Sequence, residues 1–310
     1  MKTVKSFKEF IRESVWSDIQ DRNAGEVARK EDKFYIPKSK GELVEYISNK
    51  VSSMKDHTLD LKDIDLSELT SINSLFEAVI HKVGVQKMFK IETIDVTGWG
   101  TYTIKDMAYT FRLGDSWPYL ERIIGLDTWD VSGVRDMDSM FAYIPGLKQA
   151  DVENWNVGNV KNMKDMFRTC DIEKLDLNNW DVSNVENMES MFESCTAEEL
   201  IISKWNVGRV RNMSNMFKLC ANIEELDVSK WNVSNVKDMS SMFYQCYFTK
   251  LDVENWDVRN VKDMSNMFAF CSHLKDLNLK NWNVDSLENM NHMFRQAGIK
   301  YKKKDNKLIK

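Results

Sequence analysis

Histidine, proline and glycine are scarce in this sequence of 310 residues, which contains 4 His, 3 Pro and 12 Gly. There is no glycine-rich phosphate loop, and the histidines are scattered outside any recurring motif, so no catalytic set emerges. The longest apolar runs are only a few residues, which excludes a membrane-spanning helix. The formal net charge of −5 argues against nucleic acid as a partner of the whole chain.

A secretory signal is also lacking, because the segment from Met1 to Glu13 mixes lysine, glutamate and phenylalanine and has no unbroken apolar centre. The cysteine count of 5 is odd, and no Cys-x-x-Cys spacing occurs. Together these observations predict synthesis in a reducing, cytoplasmic compartment. The spacing also predicts that no zinc site exists, and we expect neither a metal nor another cofactor.

The excess of methionine (18) and tryptophan (10) has one explanation, an internal repeat. One unit runs from Leu226 to Cys246, and about nine such units cover residues 56–298, the first two being degenerate. The tryptophans recur in steps of 25 or 26 residues, at Trp129, Trp155, Trp180, Trp205, Trp231, Trp256 and Trp282. A repeated supersecondary unit is therefore the basis of the fold.

Each unit contains two periodicities. Leu226 and Val228 lie two residues apart, as do Trp231 and Val233, which predicts extended chain. From Met239 to Cys246 they fall at i, i+3, i+4 and i+7, which predicts a short amphipathic helix. A residue of N-cap type precedes this stripe in every unit: Ser71, Asp106, Asp136, Asn162, Asn187, Asn212, Asp238, Asp263 and Asn289.

The unit Leu-Asp-Val-x-x-Trp-Asp/Asn-Val-Ser-Asn-Val-x-Asp/Asn-Met-x-x-Met-Phe-x-x-Cys resembles the BspA-type leucine-rich repeat of bacterial surface proteins. This resemblance implies a right-handed solenoid with one parallel strand ladder and a helical outer side. It also implies adhesion or protein binding rather than catalysis. We therefore expect an α/β fold, a solenoid of about nine leucine-rich-like repeats with a helical N-terminal cap.

The flanking segments do not repeat. Residues 1–55 are predicted to form N-terminal helices, one of which begins at a capping box from Ser39 to Glu42 and caps the repeat domain of residues 56–298. Residues 299–310 carry six lysines and are interpreted as a flexible tail.

The first residues carry a second resemblance. Met1 to Thr3 and Glu9 to Glu13 are similar to the capsid-targeting peptide of T-even phage internal head proteins. Those peptides end in an Ile/Leu-x-Glu site that is cut during head maturation, which implies a processing site after Glu13. An ordinary amphipathic helix at the start of the chain is the alternative.

Three residue columns are candidates for binding or chemistry. The cysteines always follow the helix phenylalanine by three residues, and small or apolar residues replace them in other units, which indicates packing; they are Cys170, Cys195, Cys220, Cys246 and Cys271. The seven tryptophans listed above either form the core or line an exposed strip for sugars or a partner. An acidic column between inward strand residues indicates local hydrogen bonding or a surface for a basic partner or calcium: Asp95, Asp151, Asp176, Asp227 and Asp252.

The sequence as a whole favours a non-enzymatic repeat scaffold that binds a protein or a glycan. Two settings fit it. One is a phage structural or internal head protein, made in the cytoplasm and carried in the virion. The other is a cell-surface or secreted adhesin of the BspA type.

The methionine stripe gives a direct test of this architecture. Met216→Asp, in the centre of the array, places an unpaired charge in the predicted core and should lower the free energy of unfolding by several kcal/mol. Urea denaturation measures the effect. A loss below about 1 kcal/mol would mean that the stripe is exposed to solvent.

Overall fold

The first described element is a helix that lies against the first repeat unit. The computed structural model describes residues 34–112, 117–304 and 307–309. Helix α1 (Lys40–Ser53) begins at the predicted capping box, where the Ser39 hydroxyl accepts a hydrogen bond from the amide of Glu42 at 3.2 Å. Its inward face, which includes Leu43 and Ile47, is fully buried. The predicted helix after Ser39 is therefore present.

Short parallel strands join neighbouring units. Strands β1 (Thr58–Asp60), β2 (Thr93–Asp95) and β3 (Arg122–Ile124) form one sheet in that order. Strands β4 (Lys174–Asp176) and β5 (Glu199–Ile201) form a second, also parallel. The central residue of each strand is buried, as the alternation of apolar residues predicts. These sheets are open at their edges in the part of the chain that the structure describes.

Helices are few beyond α1. The first unit forms α2 (Leu75–Val83) and α3 (Val85–Met88), and a 3₁₀ helix covers Leu126–Thr128. In the described units from Met137 to Ala297, the apolar stripe forms chained turns instead of a helix. The predicted helical outer side is therefore wrong for these units.

The turns are distinguished from a helix by their hydrogen bonds and by the sign of φ. The amide of Met242 donates to the carbonyl of Met239, three residues back, at 3.2 Å. Between them Ser241 has φ 55°, in the left-handed region, and Gln245 repeats this with φ 56° four residues later. A helix needs negative φ at every residue and bonds to the fourth residue back, so these positions end any helical run.

Every second amide of the turn segment donates out of its own unit, to a carbonyl of the next one. The bonds from one unit are Met239 to Asp263 at 2.9 Å, Ser241 to Ser265 at 2.8 Å, Phe243 to Met267 at 3.0 Å and Gln245 to Ala269 at 2.8 Å. We call this column of inter-unit bonds the turn ladder. It gives each unit the backbone partners that a helix would have supplied internally.

The predicted N-cap residues lie at the start of the turn ladder. They form an unbroken column of parallel bridges from Ser71 to Asn289. Each side chain accepts the amide two residues later, as Asp238 does from Ser240 at 2.8 Å and Asn162 does from Lys164 at 3.2 Å. The predicted amide capping is therefore present, but it closes a turn and not a helix.

The core lies between the strands and the turn ladder. Met216 and Phe217 are fully buried, and the stacked phenylalanines from Phe111 to Phe294 have ring centroids 5.6–5.8 Å apart. Among the described residues no helix is long and apolar enough to cross a membrane.

Two short strands lie in the segment predicted to be a tail. Strands β6 (Lys302–Lys304) and β7 (Lys307–Ile309) form an antiparallel hairpin. The Tyr301 hydroxyl donates to the carbonyl of Leu277, and Leu308 is buried. Buried Ile299 and Leu308 thus pack the described residues of 299–310 against the core, and the flexibility of this segment stays a prediction.

Substitutions at Ser241 separate the turn from the helix. In the turn, Ser241→Gly removes the steric cost of left-handed φ and should stabilise the protein by about 0.5–1 kcal/mol, whereas Ser241→Ala should not stabilise it. In a helix the order would reverse, since alanine is favoured over glycine by about 1 kcal/mol. The control is Ser240→Gly, next to it on the same turn. Thermal unfolding measures all three variants.

Candidate functional site

The tryptophan column lies inside the core. The seven predicted residues, from Trp129 to Trp282, are only 1–4% exposed. Their rings stack with centroids 6.2–6.5 Å apart. Each indole N–H donates to a carbonyl of the preceding unit, as Trp205 does to Leu177 at 2.8 Å. The indoles therefore do not form an exposed strip for a ligand.

The structure does not bring the five predicted aspartates together as a site. Asp95 lies beside Ile124 on the next strand, and Asp176 lies beside Ile201. Their carboxylates mostly accept hydrogen bonds from their own turns: Asp95 from Thr97 at 3.0 Å, Asp176 from Asn178 at 3.2 Å, Asp227 from Ser229 at 3.1 Å and Asp252 from Glu254 at 3.4 Å. Asp151 instead accepts from the side chain of Gln149 at 2.6 Å.

The local bonding explains how an acidic column is tolerated. Hydrogen bonds from the Ser229 side chain and amide lower the pKa of Asp227. Within the described residues, no group of three or more His, Cys, Asp or Glu side chains is arranged to hold a metal ion. The geometry thus accounts for these aspartates without a ligand.

The cysteine column is buried, and its thiols are free. The thiol of Cys220 contacts the carbonyl of Phe192 at 2.9 Å, and that of Cys246 contacts Phe217 at 2.9 Å. Burial raises the pKa of all five thiols, and that of Cys195 reaches about 11. A protonated, buried thiol is a packing group and a poor nucleophile.

A charged cluster on the turn side was not foreseen from the sequence. Glu193, whose side chain is 6% exposed, lies 3.2 Å from Arg168 in the preceding unit and 3.0 Å from Lys218 in the following one. Arg168 also pairs with Asp165 at 3.0 Å. The cluster links three successive units, and its charges are paired with one another.

A further candidate site is an acidic groove beside β5. Its volume is about 770 Å³, within the range of ligand-binding clefts. We define the acidic groove by its five carboxylates: Glu198, Glu199, Glu224, Glu225 and Asp227. Of the predicted acidic column, only Asp227 lines it.

The groove exists because the parallel ladder ends at β5. Cys195 precedes Leu200 by five residues, whereas Cys220 precedes Leu226 by six. The unit that contains Leu226 therefore has one extra residue just before its strand position. Within the described chain, no strand pair or bridge joins β5 to that unit. The extra residue lies where the chain diverges from β5, and the cleft lies between the two segments.

The charge of the acidic groove is largely uncompensated. Glu199 pairs with Lys174 at 2.6 Å. Glu198, Glu224 and Glu225 are exposed and have no ion-pair partner among the described residues. The lining contains no lysine or arginine. The groove can therefore attract a cationic ligand.

The processing site predicted at Glu13 lies outside the described residues.

The buried thiols predict how stability depends on alkaline pH. For Cys195 and Cys271, between the pKa of an unfolded thiol, about 8.5, and the folded value of about 11, the folded state binds more protons, so stability falls as pH rises. Each of these two thiols should contribute a loss of about 1.4 kcal/mol per pH unit in this window, and the raised pKa of the other three acts in the same direction. Replacing all five cysteines with alanine should lower stability at pH 7 through lost packing but flatten the alkaline slope. Equal slopes in the two proteins, measured by urea denaturation, would show that the thiols are not buried.

Comparison with known proteins gives one family. Four overlapping segments match the family model described as "Mycoplasma protein of unknown function, DUF285": residues 82–200, 120–223, 168–276 and 195–306. No curated protein and no solved structure matches the chain. The four segments together span residues 82–306, which is more than half of the chain and most of its repeats. The chain therefore belongs to the Mycoplasma protein family of unknown function DUF285.

Proposed function

We propose that this protein is a non-enzymatic repeat scaffold that binds a protein partner through the acidic groove. The observation that carries the proposal is the uncompensated charge of the groove, at a place where the regular ladder opens. Repeat proteins bind partners over the surface of stacked units, and the core residues set the spacing of that surface. The cysteines and tryptophans serve this core role here.

A protein is favoured over a glycan because of where the aromatic rings lie. An exposed aromatic face is a common contact for a sugar ring, and the tryptophan column offers none. Clustered carboxylates instead complement a basic polypeptide segment. Lysine and arginine side chains reaching Glu224 and Glu225 would meet charges that have no other partner.

The finer identity of the repeat is also a proposal. We infer a solenoid of about nine BspA-type, leucine-rich-like units, which the parallel bridges from Ser71 to Asn289 support. The BspA resemblance favours a cell-surface or secreted adhesin. The resemblance of residues 1–13 favours synthesis in the cytoplasm and a place in a phage virion. A basic protein segment is a suitable partner in either setting.

Charge reversal in the groove tests the proposal. The probe is fluorescein-labelled oligolysine, and its binding is followed by fluorescence anisotropy at several salt concentrations. The double variant Glu224→Lys/Glu225→Lys should weaken binding at least about tenfold, equivalent to about 1.4 kcal/mol. Affinity for the unmodified protein should fall with added salt.

The matched control is Glu121→Lys/Glu153→Lys, which changes the net charge equally but lies outside the groove. It should bind oligolysine nearly as well as the unmodified protein. If both double variants lose affinity to the same extent, the probe responds to net charge and the groove is not the binding site.

A further inference from the structure

The turn ladder has a direction. Within the turn ladder, the amides of the earlier unit donate to carbonyls of the later unit: Ser190 donates to Ser214 at 2.9 Å, and Asn215 donates to Ser240 at 2.8 Å. Bonds in the opposite direction lie just before the turns, as from Lys262 to the carbonyl of Lys237 at 2.8 Å, and are not part of this ladder. The ladder therefore has unlike ends. The first unit presents carbonyl groups outward, and the last presents amide groups.

The carbonyl end is closed by this chain itself. Helix α1 packs against the first unit, and the ammonium group of Lys40 donates to the carbonyl of Asn73 at 3.1 Å and to its side-chain oxygen at 2.9 Å. A cation thus meets the acceptors exposed at this end. The first unit also replaces its turns with helix α2, which uses its carbonyls internally.

At the amide end, Tyr301 packs against the ring of Phe294 with centroids 5.4 Å apart, while His292 and Gln296 are exposed. In the preceding unit, four amides donate onward: Met264 to Asn289 at 2.9 Å, Asn266 to Asn291 at 2.9 Å, Phe268 to Met293 at 2.9 Å and Phe270 to Arg295 at 2.7 Å. The equivalent amides of the last unit are those of Met290, His292, Phe294 and Gln296. None of them has a hydrogen-bond acceptor among the described residues. We call these four amides the donor edge.

The donor edge keeps the conformation that receives a neighbour. His292 has φ 60° and Gln296 has φ 53°, the left-handed values found at the same positions inside the ladder. Amides presented from alternating right- and left-handed residues form concave sites for oxygen acceptors. No rearrangement of the backbone is needed for a further segment to continue the ladder.

The surroundings of the donor edge are cationic. Arg295 and Lys300 are exposed and have no carboxylate partner among the described residues; Arg295 lies over the ring of Phe270 at 5.4 Å. Glu288, the nearest glutamate in sequence, is paired with Lys262 at 2.7 Å. Free amides and free cations at one end favour an acceptor-rich, negatively charged partner.

We propose that the donor edge binds an extended acidic segment of a partner protein. The carbonyl groups of that segment accept hydrogen bonds from the four amides, as an added strand does at a sheet edge. Its carboxylates lie against Arg295 and Lys300. This surface is separate from the acidic groove and attracts the opposite charge, so the inference does not depend on the proposed function.

A second copy of the described chain is a poor occupant. Its own donor edge also offers amides and cations, which repel an identical surface. Its carbonyl end lies under α1 and is bonded to Lys40. The polarity of the ladder thus selects a different polypeptide, one with free carbonyl groups.

Hydrogen exchange of the full-length protein tests the proposal, with poly-L-glutamate as the probe. Without the probe, the amides of residues 290, 292, 294 and 296 should exchange far faster than those of residues 264, 266, 268 and 270. Saturating probe should slow exchange at the donor edge by at least about tenfold and leave residues 264–270 unchanged. Binding without protection at these four amides would overturn the proposal.

A charge-reversal pair gives the second arm. Arg295→Glu should weaken poly-L-glutamate binding at least about tenfold, measured by isothermal titration calorimetry. Arg211→Glu is the matched control, because Arg211 is an exposed arginine in the middle of the stack, far from the donor edge. Equal affinity of the two variants would also overturn the proposal, since it would show that binding follows net charge alone.

Discussion

Hydrogen bonds between the main chains of successive units hold this molecule together. In the turn segment, half of the amides bond within their own unit and the other half bond to the next one, as Ser241 does to Ser265 at 2.8 Å. A buried backbone group without a partner is costly, so a single unit cannot be stable alone. The cooperative element is the interface between units and not the unit itself.

The side-chain columns follow from this spacing. Backbone bonds fix the distance between equivalent positions of neighbouring units. A side chain in one unit therefore packs against a side chain of the same type in the next unit. Aromatic rings at 6.2–6.5 Å stack with an offset, and each indole N–H reaches a carbonyl of the unit before. The thiols use the same geometry, as Cys271 does with Phe243 at 2.9 Å. Conserving the core columns leaves the exposed positions free to differ between units, as at Lys161, Arg211 and Glu288.

Much of this organisation could be predicted from the sequence. The tryptophan step indicates the repeat, the alternation around Leu175 and Leu177 indicates extended chain, and replacement of Cys by apolar residues indicates packing. The parallel arrangement of the strands is what the BspA resemblance implies. The helix prediction failed because two chained turns place apolar residues at i, i+3, i+4 and i+7 as a helix does. Asn215 and Asn266 at the first left-handed position of their units are a usable signal, but Leu219 and Phe270 at the second left-handed position hide it.

The acidic groove and the donor edge could not be predicted from the sequence. An extra residue also precedes Leu277, yet a parallel bridge joins Lys250 to Asp276 there, so an insertion alone does not open the ladder. The outcome depends on how the neighbouring unit packs, which is a tertiary effect. The donor edge exists because the bonds of the ladder all point one way, and that direction is visible only once the turns are known.

Scalar couplings across hydrogen bonds, measured by NMR, test the turn ladder most directly. The account predicts a coupling from the amide nitrogen of Ser241 to the carbonyl carbon of Ser265, and another from Phe243 to Met267, each across 24 residues of sequence. A coupling from Gln245 to the carbonyl of Ser241, four residues back, would instead demonstrate a helix and contradict the turn ladder.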